Sequence, residues 1–323
     1  MSQKLEQLAR DEAFMARALA LAERGTGWTS PNPLVGAVIV KDGRIIGEGW
    51  RTACGQPHAE REALAACDED PAGSTLYVTL EPCCHWGKTP PCTDAILEAG
   101  IARVVVGALD PNPLVAGQGC AQLREAGTVV ETGVLEEGCR HLNEVFFHFI
   151  TTGRPLVVLK YAMTLDGKAA TRTGASRWIT GPEARERVHR DRHRFAAIMV
   201  GIGTALADDP ALTCRLEGGP WRQPLRIVVD SQGRLPLDAL LVRTAQEIPT
   251  LVAVGPQASA ERTGALREAG CSVWASPPAE GGNGAVNLPA LLDHAGSLGI
   301  DSILVEGGPA LHGAFIDGGL ANR

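Results

Sequence analysis

The sequence predicts two consecutive α/β domains, the first over residues 1–150 and the second over 155–323. A chain of 323 residues is long enough for two hydrophobic cores. Helical patterns alternate with short, apolar, β-branched runs along both halves, which is typical of mostly parallel sheets covered by helices. A short polar turn at residues 151–155 ends in a proline and separates the two patterns, which indicates a domain boundary.

The first half predicts a three-layer domain, in which helices cover both faces of a sheet. Two apolar runs flank Asp42-Gly43, and this arrangement predicts a β-hairpin. The predicted helices are 5–24, 59–67, 92–98, 116–126 and 136–150, and the predicted strands are 34–40, 44–50, 74–80, 103–106 and 128–132.

The second half repeats the alternation and predicts a mostly parallel sheet with a ligand crevice at the strand ends. The predicted strands are 155–160, 196–200, 225–229, 250–254 and 302–305, and the predicted helices are 182–194, 258–269 and 310–317. The segment 160–168 is interpreted as a strand, an Asp-Gly turn and a second strand. Glycine-rich turns at 201–204 and 306–309 are compatible with phosphate binding at a helix start, and equally with ordinary turns.

The composition is that of a globular protein, with 45% apolar and 21% charged residues. A net charge of −7 leaves no general basic surface, so we expect no nucleic-acid partner. No apolar run approaches the roughly 20 residues of a membrane span, and no secretory leader is visible.

Nine cysteines, an odd number without a disulfide framework, predict a cytoplasmic protein with reduced thiols. An exposed sheet edge would favour a homo-oligomer.

A zinc-dependent hydrolytic site is indicated by His58, Glu60, Cys83 and Cys92. Two thiolates and one imidazole balance the charge of Zn²⁺ and leave one tetrahedral position open for water. Glu60 lies two residues after His58 and could move a proton from this water to departing ammonia, as in zinc deaminases.

Alternative assignments of the same residues stay open at this level. Cys92 follows Cys83 by nine positions, and a loop rich in glycine and proline has to close that spacing. A predicted helix start at Cys92 would lower the pKa of its thiol, which suits a metal ligand. Cys84 and His85 are rival ligands, and Cys84 as a fourth ligand would give a closed structural zinc site. His58 could also be an ordinary turn histidine, and the thiols small apolar side chains.

Motifs along the whole chain resemble the bifunctional deaminase/reductase family of riboflavin biosynthesis. They are, in the family's order, Pro31-Asn32-Pro33, His58-Ala59-Glu60, Glu81-Pro82-Cys83, Thr89-Pro90-Pro91-Cys92, Asp110-Pro111-Asn112-Pro113, Leu165-Asp166-Gly167, Ala207-Asp208-Asp209-Pro210 and Val305-Glu306-Gly307-Gly308-Pro309. The resemblance implies a cytidine-deaminase-like three-layer domain followed by a dihydrofolate-reductase-like α/β domain.

The resemblance also implies two consecutive reactions on a small phosphorylated pyrimidine. The first domain would hydrolytically remove an amino group of a diaminohydroxyphosphoribosylaminopyrimidine with Zn²⁺, and the second would reduce the ribosyl of the product to ribityl with NADPH. By the same resemblance, the zinc ligands are His58, Cys83 and Cys92, and Glu60 is the proton shuttle. Residues that would line the deaminase pocket are Asn32, His85, Lys88 and Asn112, with Lys88 near the substrate phosphate.

For the reductase domain, the resemblance implies two sets of binding residues. Those that would hold NADP are Ala162, Trp178, Thr204, Asp208, Ser231, Gly308, Pro309, Ala310, Leu311, His312, Gly313 and Ala314. Those that would hold the substrate are Ser176, Arg192, Leu212, Arg215 and Glu306. Arginine suits a phosphate because its planar fork matches the phosphate oxygens.

Two departures from the family pattern carry expectations of their own. Cys84 stands where relatives have serine, which adds a competing thiol beside the ligand set. The sequence ends at Arg323, where relatives continue for roughly one more αβ unit, so an active deaminase with an impaired reductase is one hypothesis. Others are a deaminase of free nucleosides or tRNA, and a non-catalytic zinc-stabilised binding or regulatory protein.

Overall fold

The computed structural model describes residues 2–86, 90–112, 115–173, 176, 178–279 and 284–323. The chain divides into two compact units, Met1–Thr152 and Gly153–Arg323. Each unit has its own sheet and its own hydrophobic core. Within the described residues, no helix is both long enough and apolar enough to cross a membrane.

The first unit is a five-stranded sheet with helices on both faces. In chain order its elements are α1 (Ser2–Ala22), a short 3₁₀ helix (Glu23–Gly25), β1 (Gly36–Lys41), β2 (Arg44–Trp50), α2 (Ala59–Ala65), β3 (Thr75–Leu80), α3 (Cys92–Glu98), β4 (Arg103–Ala108), α4 (Gln118–Glu125), β5 (Val129–Thr132), α5 (Glu136–Leu142) and α6 (Glu144–Thr152). The strand order is β2-β1-β3-β4-β5, with β1 antiparallel to both neighbours and β3, β4 and β5 parallel. The three-layer prediction is confirmed.

Two glycines allow helices to lie directly against this sheet. A Cβ at Gly36 would lie 2.0 Å from the carbonyl oxygen of Ala18 in α1. On β2, a Cβ at Gly49 would lie 2.3 Å from the amide nitrogen of Ala63 and 2.4 Å from the carbonyl oxygen of Ala59, both in α2. Backbone therefore meets backbone at both places, and α2, which carries Glu60, has its distance from the sheet fixed.

The predicted single helix over 136–150 is wrong, because the chain forms two helices, α5 and α6, interrupted at Asn143. Asn143 is buried, and its amide accepts from the backbone nitrogen of Leu34 at 2.8 Å and donates to the Leu34 carbonyl at 2.9 Å. The Asn143 side chain therefore satisfies both backbone polar groups of Leu34, as a neighbouring strand would do in a sheet. A tertiary contact of this kind overrides the helical pattern of the sequence.

The second unit contains a six-stranded sheet whose described strand pairs are all parallel. Its elements are β6 (Leu156–Leu159), α7 (Pro182–Arg194), β7 (Ala197–Gly201), α8 (Ile202–Asp208), β8 (Leu225–Val229), α9 (Leu240–Arg243), β9 (Thr250–Val254), α10 (Ala260–Glu268), β10 (Ser272–Ala275), α11 (Leu288–Ser297), β11 (Ser302–Val305) and α12 (Pro309–Asp317). The strand order is β10-β9-β8-β7-β11-β6. Asn322 donates its backbone N–H to the Val157 carbonyl of β6 at 2.9 Å.

Both strands in the interpretation of 160–168 are wrong, since β6 ends at Leu159 and no strand is assigned within this segment. Thr164 and Lys168 instead close a local turn, in which the Thr164 amide donates to the Lys168 carbonyl at 2.9 Å and the Gly167 amide donates to the Thr164 carbonyl at 2.9 Å. The Asp-Gly turn is therefore present without a strand after it. Four elements were not predicted: α8, α9, β10 and α11. Among these, α8 begins directly after the glycine at the end of β7, where the sequence indicated only a turn.

Candidate functional site

The three predicted zinc ligands converge at one edge of the first unit. His58 directly precedes α2, Cys92 is the first residue of α3, and Cys83 lies in the loop after β3. The His58 Nδ1 atom lies 3.5 Å from the sulfur of Cys83 and 3.3 Å from the sulfur of Cys92. All three donor atoms lie within 4.8 Å of one another.

Backbone contacts close the long spacing between the two thiols. The amide of Cys92 donates to the sulfur of Cys83 at 3.3 Å, and the amide of Thr93 donates to the Cys83 carbonyl at 3.2 Å. Both amides belong to the first turn of α3, whose N–H groups have no partner within the helix. The first turn of α3 therefore fixes the position of the loop that carries Cys83 through these two hydrogen bonds.

This donor set fits a zinc ion. Tetrahedral zinc with Zn–S of about 2.3 Å and Zn–N of about 2.0–2.1 Å separates nitrogen from sulfur by roughly 3.5 Å, close to the distances found. A hydrogen bond from Cys92 lowers the pKa of the Cys83 thiol to about 4. The pKa of the Cys92 thiol is instead raised, by its hydrogen bond with Cys83 and by burial, which is opposite to the lowering expected at a helix start. Two sulfurs and one nitrogen leave a tetrahedral position open, as in catalytic zinc sites.

Glu60 lies in the first turn of α2 and its side chain is buried, with 3% of its surface exposed. Burial raises the pKa of its carboxyl, although the His58 side chain opposes this shift. A carboxyl with a raised pKa exchanges protons more readily near neutral pH, which is what a general acid/base requires. Glu60 is absent from the group of metal-capable donors identified among the described residues.

The rival ligands lie outside this donor group. Cys84 is half-buried, and burial raises the pKa of its thiol, which favours the neutral form over a ligating thiolate. His85 is exposed. In the part of the chain that the structure describes, the donor group consists of His58, Cys83 and Cys92. A closed site with Cys84 as fourth ligand is therefore not what this geometry favours.

A cavity of about 420 Å³ opens beside these residues. Among the predicted substrate residues, Asn32, His85 and Asn112 line it together with His58, Glu60 and Cys83. Lys88 lies outside the described residues. The side-chain amide of Asn32 donates to the sulfur of Cys54 at 3.1 Å, so this predicted residue is held by a neighbour in the cavity wall.

The sequence analysis missed several residues of this cavity wall. They are Arg51, Cys54, Asp110, Phe146, Phe149 and Ile150. Burial raises the pKa of Asp110 to about 6, which makes it a titratable group of the wall. Its place in an Asp-Pro-Asn-Pro motif was a usable signal, whereas Arg51 and the aromatic residues of α6 follow only from the tertiary packing.

Glu81 was also missed as a functional candidate, and it ties two loops of the site together. Its buried carboxylate accepts hydrogen bonds from the backbone amides of Asp110 at 3.2 Å, Gly117 at 2.9 Å and Cys120 at 3.1 Å. Gly117 precedes α4 and offers no side chain to cap it, so Glu81 caps α4 from another part of the chain. The loop bearing Asn112 is thereby joined to the residue two positions before Cys83.

In the second unit, two of the five predicted substrate residues, Arg192 and Glu306, form an ion pair. Arg192 binds Glu306 through two hydrogen bonds of 2.7 and 2.9 Å, and Lys160 lies 3.7 Å from the same carboxylate. Burial alone would raise the pKa of Glu306, but the hydrogen bonds from Arg192 outweigh it and hold that pKa below its usual range. Arg192 also donates to the Thr213 carbonyl at 3.1 Å, and Arg215 donates to the Thr213 hydroxyl at 2.9 Å.

Thr213 thus accepts hydrogen bonds from both arginines. The residue directly before it is the predicted substrate residue Leu212. Leu212 is 2% exposed and has a φ of +52°, an uncommon conformation for a leucine. Ser176 is half-buried, and no contact links it to this cluster in the described residues.

The predicted NADP residues lie mainly at the carboxyl ends of neighbouring parallel strands. Gly307 and Gly308 follow β11, and a Cβ at either would lie 3.1 Å from the hydroxyl oxygen of Thr204, which is on α8 after β7. Gly308 has a φ of +56° and precedes α12, which contains the predicted residues 309–314. Ser231 follows β8, and its hydroxyl accepts from the Val286 amide at 3.2 Å.

The other predicted NADP residues are less closely grouped. His312 faces the Val305 carbonyl at 3.2 Å through Nε2, and Tyr161, next to the predicted Ala162, packs edge-on against its ring at 5.8 Å. Trp178 is 73% exposed, with the guanidinium of Arg185 4.5 Å above its ring. Asp208 is the last residue of α8. The fold therefore brings Thr204 and the glycine turn together and leaves Trp178 outside that group.

Comparisons with known proteins cover nearly the whole chain. The family model described as the cytidine and deoxycytidylate deaminase zinc-binding region matches residues 8–108, and the model of the RibD C-terminal domain matches residues 155–323. The riboflavin biosynthesis protein RibD of Actinobacillus pleuropneumoniae is 50% identical over 97% of this chain and 82% of its own length.

Two solved structures are similar over the same extent. A diaminohydroxyphosphoribosylaminopyrimidine deaminase/5-amino-6-(5-phosphoribosylamino)uracil reductase from Thermotoga maritima matches with a TM-score of 0.84 and 41% identity. RibD of Acinetobacter baumannii matches with a TM-score of 0.85 and 40% identity. In both cases the match covers 97% of this chain and 85% of the other.

Proposed function

The chain belongs to the RibD family of riboflavin biosynthesis, a family of bifunctional deaminase/reductases, and on that premise we propose how its own residues perform the two reactions. Both domains are present, with a zinc-dependent deaminase followed by an NADPH-dependent reductase. The observation that carries the proposal is the convergence of His58, Cys83 and Cys92 beside the buried Glu60 at a cavity.

In the deaminase unit, we assign His58, Cys83 and Cys92 as the residues that hold zinc. Zinc, when bound, supplies a Lewis acid that makes water acidic enough to attack a ring carbon near neutral pH. Glu60 takes a proton from the attacking water and delivers it to the departing ammonia. Its burial supports this role, because the raised pKa makes both the charged and the neutral carboxyl accessible.

The remaining cavity residues orient the substrate. Asn32, His85 and Asn112 line the cavity and offer polar groups to the ring. We propose that the substrate is the diaminohydroxyphosphoribosylaminopyrimidine named for the similar Thermotoga maritima enzyme, with Lys88 assigned to its phosphate. A wall of Phe146, Phe149 and Ile150 excludes water from one side of the ring.

In the reductase unit, we assign Thr204 and the Gly307-Gly308 turn to NADPH, which supplies the hydride when bound. The glycines let this turn lie close to Thr204, since a side chain at either position would meet its hydroxyl, and their backbone amides are proposed to contact the cofactor. We assign Arg192 and Arg215 to the substrate, and their hydrogen bonds to the carbonyl and the hydroxyl of Thr213 bring the two guanidinium groups to one residue. Hydride transfer depends mainly on this placement.

We further propose that the enzyme acts in the cytoplasm on this small molecule, with no nucleic-acid or membrane partner. The net charge of −7 supports the first exclusion. A homo-oligomer stays a prediction.

A two-step assay tests the proposed function. Ammonia release from the diaminopyrimidine substrate and NADPH consumption would be followed separately on the purified protein. We expect ammonia release that requires zinc, followed by NADPH consumption that requires the deaminated product. Zinc-independent ammonia release, or none with a zinc-loaded protein, would contradict the deaminase assignment. Ammonia release without subsequent NADPH consumption would contradict the reductase assignment.

A further inference from the structure

Arg51 occupies the wall of the deaminase cavity and has no role in the reactions as described so far. It follows β2 directly, and its backbone N–H donates to the Val35 carbonyl at 3.0 Å, which continues the pairing with β1. This pairing places it near Asn32 in the chain fold, and both residues line the cavity that contains Glu60 and Cys83.

The guanidinium of Arg51 lacks the protein partners that other buried arginines have. Its Nε is buried and has no hydrogen-bond partner, as is also true of Arg61, Arg222 and Arg226. Each of those three donates to backbone carbonyls through another nitrogen, Arg226 to four of them. Among the described residues, no such hydrogen bond or ion pair is found for Arg51.

The electrostatic surroundings of Arg51 place it beside the reacting centre. Burial lowers the pKa of its guanidinium, while Glu60, Cys54, Cys92 and Cys83 act in the opposite direction. Arginine keeps its proton in proteins, so the group remains a cation with five donor hydrogens. Arg51 is half-buried, and its buried Nε donor has no acceptor in the described part of the protein, which is costly. A ligand that enters the cavity can supply acceptors to this guanidinium.

We propose that Arg51 is a substrate-binding residue of the deaminase site, and that its guanidinium donates to the ring carbonyl oxygen of the pyrimidine. The inference rests on the proposed function. A ring oxygen is favoured over the phosphate because Arg51 lines the cavity together with Glu60 and Cys83, where the ring reacts. The phosphate is separated from the ring by the ribose.

This contact gives the site a means of discrimination. A pyrimidine with an amino group in place of the carbonyl would set its N–H donors against those of Arg51. Unpaired donors in a closed site exclude such a ligand more strongly than a change in shape would. Arg51 therefore selects an oxo-pyrimidine at this ring position.

Two half-ligands test the assignment, each measured as a competitive inhibitor of ammonia release. Diaminouracil carries the ring and its carbonyl without a phosphate, and ribose 5-phosphate carries the phosphate without a ring. In Arg51→Met we expect the inhibition constant of diaminouracil to rise about tenfold to hundredfold, the usual range for a lost hydrogen bond to a charged group. That of ribose 5-phosphate should stay within about twofold. Arg44→Met, the same change at the exposed start of β2, is the matched control.

The other outcomes are distinct. A selective loss of ribose 5-phosphate binding would overturn the ring assignment in favour of the phosphate, and unchanged constants for both would overturn substrate binding altogether. Loss of zinc from Arg51→Met would mean that the arginine serves the metal site, which also overturns the proposal. If Arg51→Met does not fold, the same two inhibition constants are measured for Arg51→Lys, which keeps the positive charge but loses the planar, forked guanidinium. A selective rise for diaminouracil would again support the ring assignment, and unchanged constants would overturn it. If the unaltered protein binds neither half-ligand and releases no ammonia, the proposed function fails instead.

Discussion

The two sites differ in how the chain neutralises their charged groups. In the second unit, Glu306 already has Arg192 at 2.7 Å and Lys160 at 3.7 Å, so its negative charge is balanced within the protein. In the first unit, the zinc-site thiol of Cys83 and the carboxyl of Glu60 line one cavity with Arg51, whose half-buried guanidinium makes no hydrogen bond among the described residues. The deaminase site thus depends on a metal ion to balance its charge and on a substrate to complete its hydrogen bonds, whereas the charges of the reductase site are already paired within the protein.

The largest expected effect is on ammonia release, and it is expected from changing Glu60, the proposed proton shuttle of the deaminase site. Glu60→Gln keeps the size of the side chain but cannot carry a proton, so ammonia release should fall by up to about 10⁴-fold. Zinc content and NADPH consumption with deaminated product should stay unchanged, because Glu60 is outside the donor group. Full ammonia release by this variant would remove Glu60 from the mechanism.

Breaking the Arg192–Glu306 ion pair of the reductase site should lower the free energy of unfolding. Arg192→Met leaves the Glu306 carboxylate buried without its main partner, a change that typically costs about 3–5 kcal/mol in free energy of unfolding. In the unaltered protein the pKa of Glu306 is lowered, so the pair stabilises the fold above the carboxyl's unfolded pKa, and this contribution is lost as the pH falls through the folded value.

The pH dependence of the same variant checks the cause. Without Arg192, burial raises the pKa of Glu306, so the folded variant should lose stability as the pH rises. The difference in unfolding free energy between the two proteins should therefore be larger at neutral pH than in mild acid. Arg190→Met, an exposed residue on the same helix, is the control. A difference independent of pH would contradict the charge argument.

A smaller effect is expected at Glu81, which joins the metal loop to the substrate loop. Glu81→Gln replaces a carboxylate that accepts three amide hydrogen bonds, and the cost should be about 1–3 kcal/mol in unfolding free energy. Because the loop with Asn112 loses its anchor, KM in the deaminase assay should rise more than kcat falls. The exposed Glu98→Gln provides the comparison, and an unaltered KM would restrict Glu81 to a purely structural role.

The smallest effect is expected at the thiol next to the donor group. Cys84→Ser should leave zinc content and ammonia release within about twofold, since Cys84 lies outside the three-donor group. Cys83→Ser, measured in parallel, should lower zinc content. Zinc loss in the Cys84 variant would restore the closed structural site as an explanation.

Much of the fold follows from local signals. Buried parallel strands such as β4 and β8 consist of β-branched apolar runs and were predicted within about two residues of their ends. The break at Asn143 could not be predicted, because it depends on a hydrogen-bonding partner 109 positions away. The missed α11 did carry a local signal, since Asn287 caps it by accepting from the Ala290 amide and proline follows in its first turn.

The candidate sites divide in the same way. His58, Glu60, Cys83 and Cys92 could be selected from residue type and spacing, because zinc chemistry restricts both. Arg51 could not, since nothing in its neighbouring sequence distinguishes it from a surface arginine at the end of a strand. Its place in the cavity depends on the pairing of β1 with β2, which is a property of the folded sheet.

The glycine contacts between sheet and helices bear on how this protein tolerates change. At Gly49 the strand backbone touches the backbone of α2, so the separation of the two layers does not depend on which side chains fill the core. Substitutions among the buried residues of this unit can then alter its thermal resistance while the helix bearing Glu60 keeps its position. Substitutions in the core that do not touch this backbone contact should therefore have little effect on the position of Glu60.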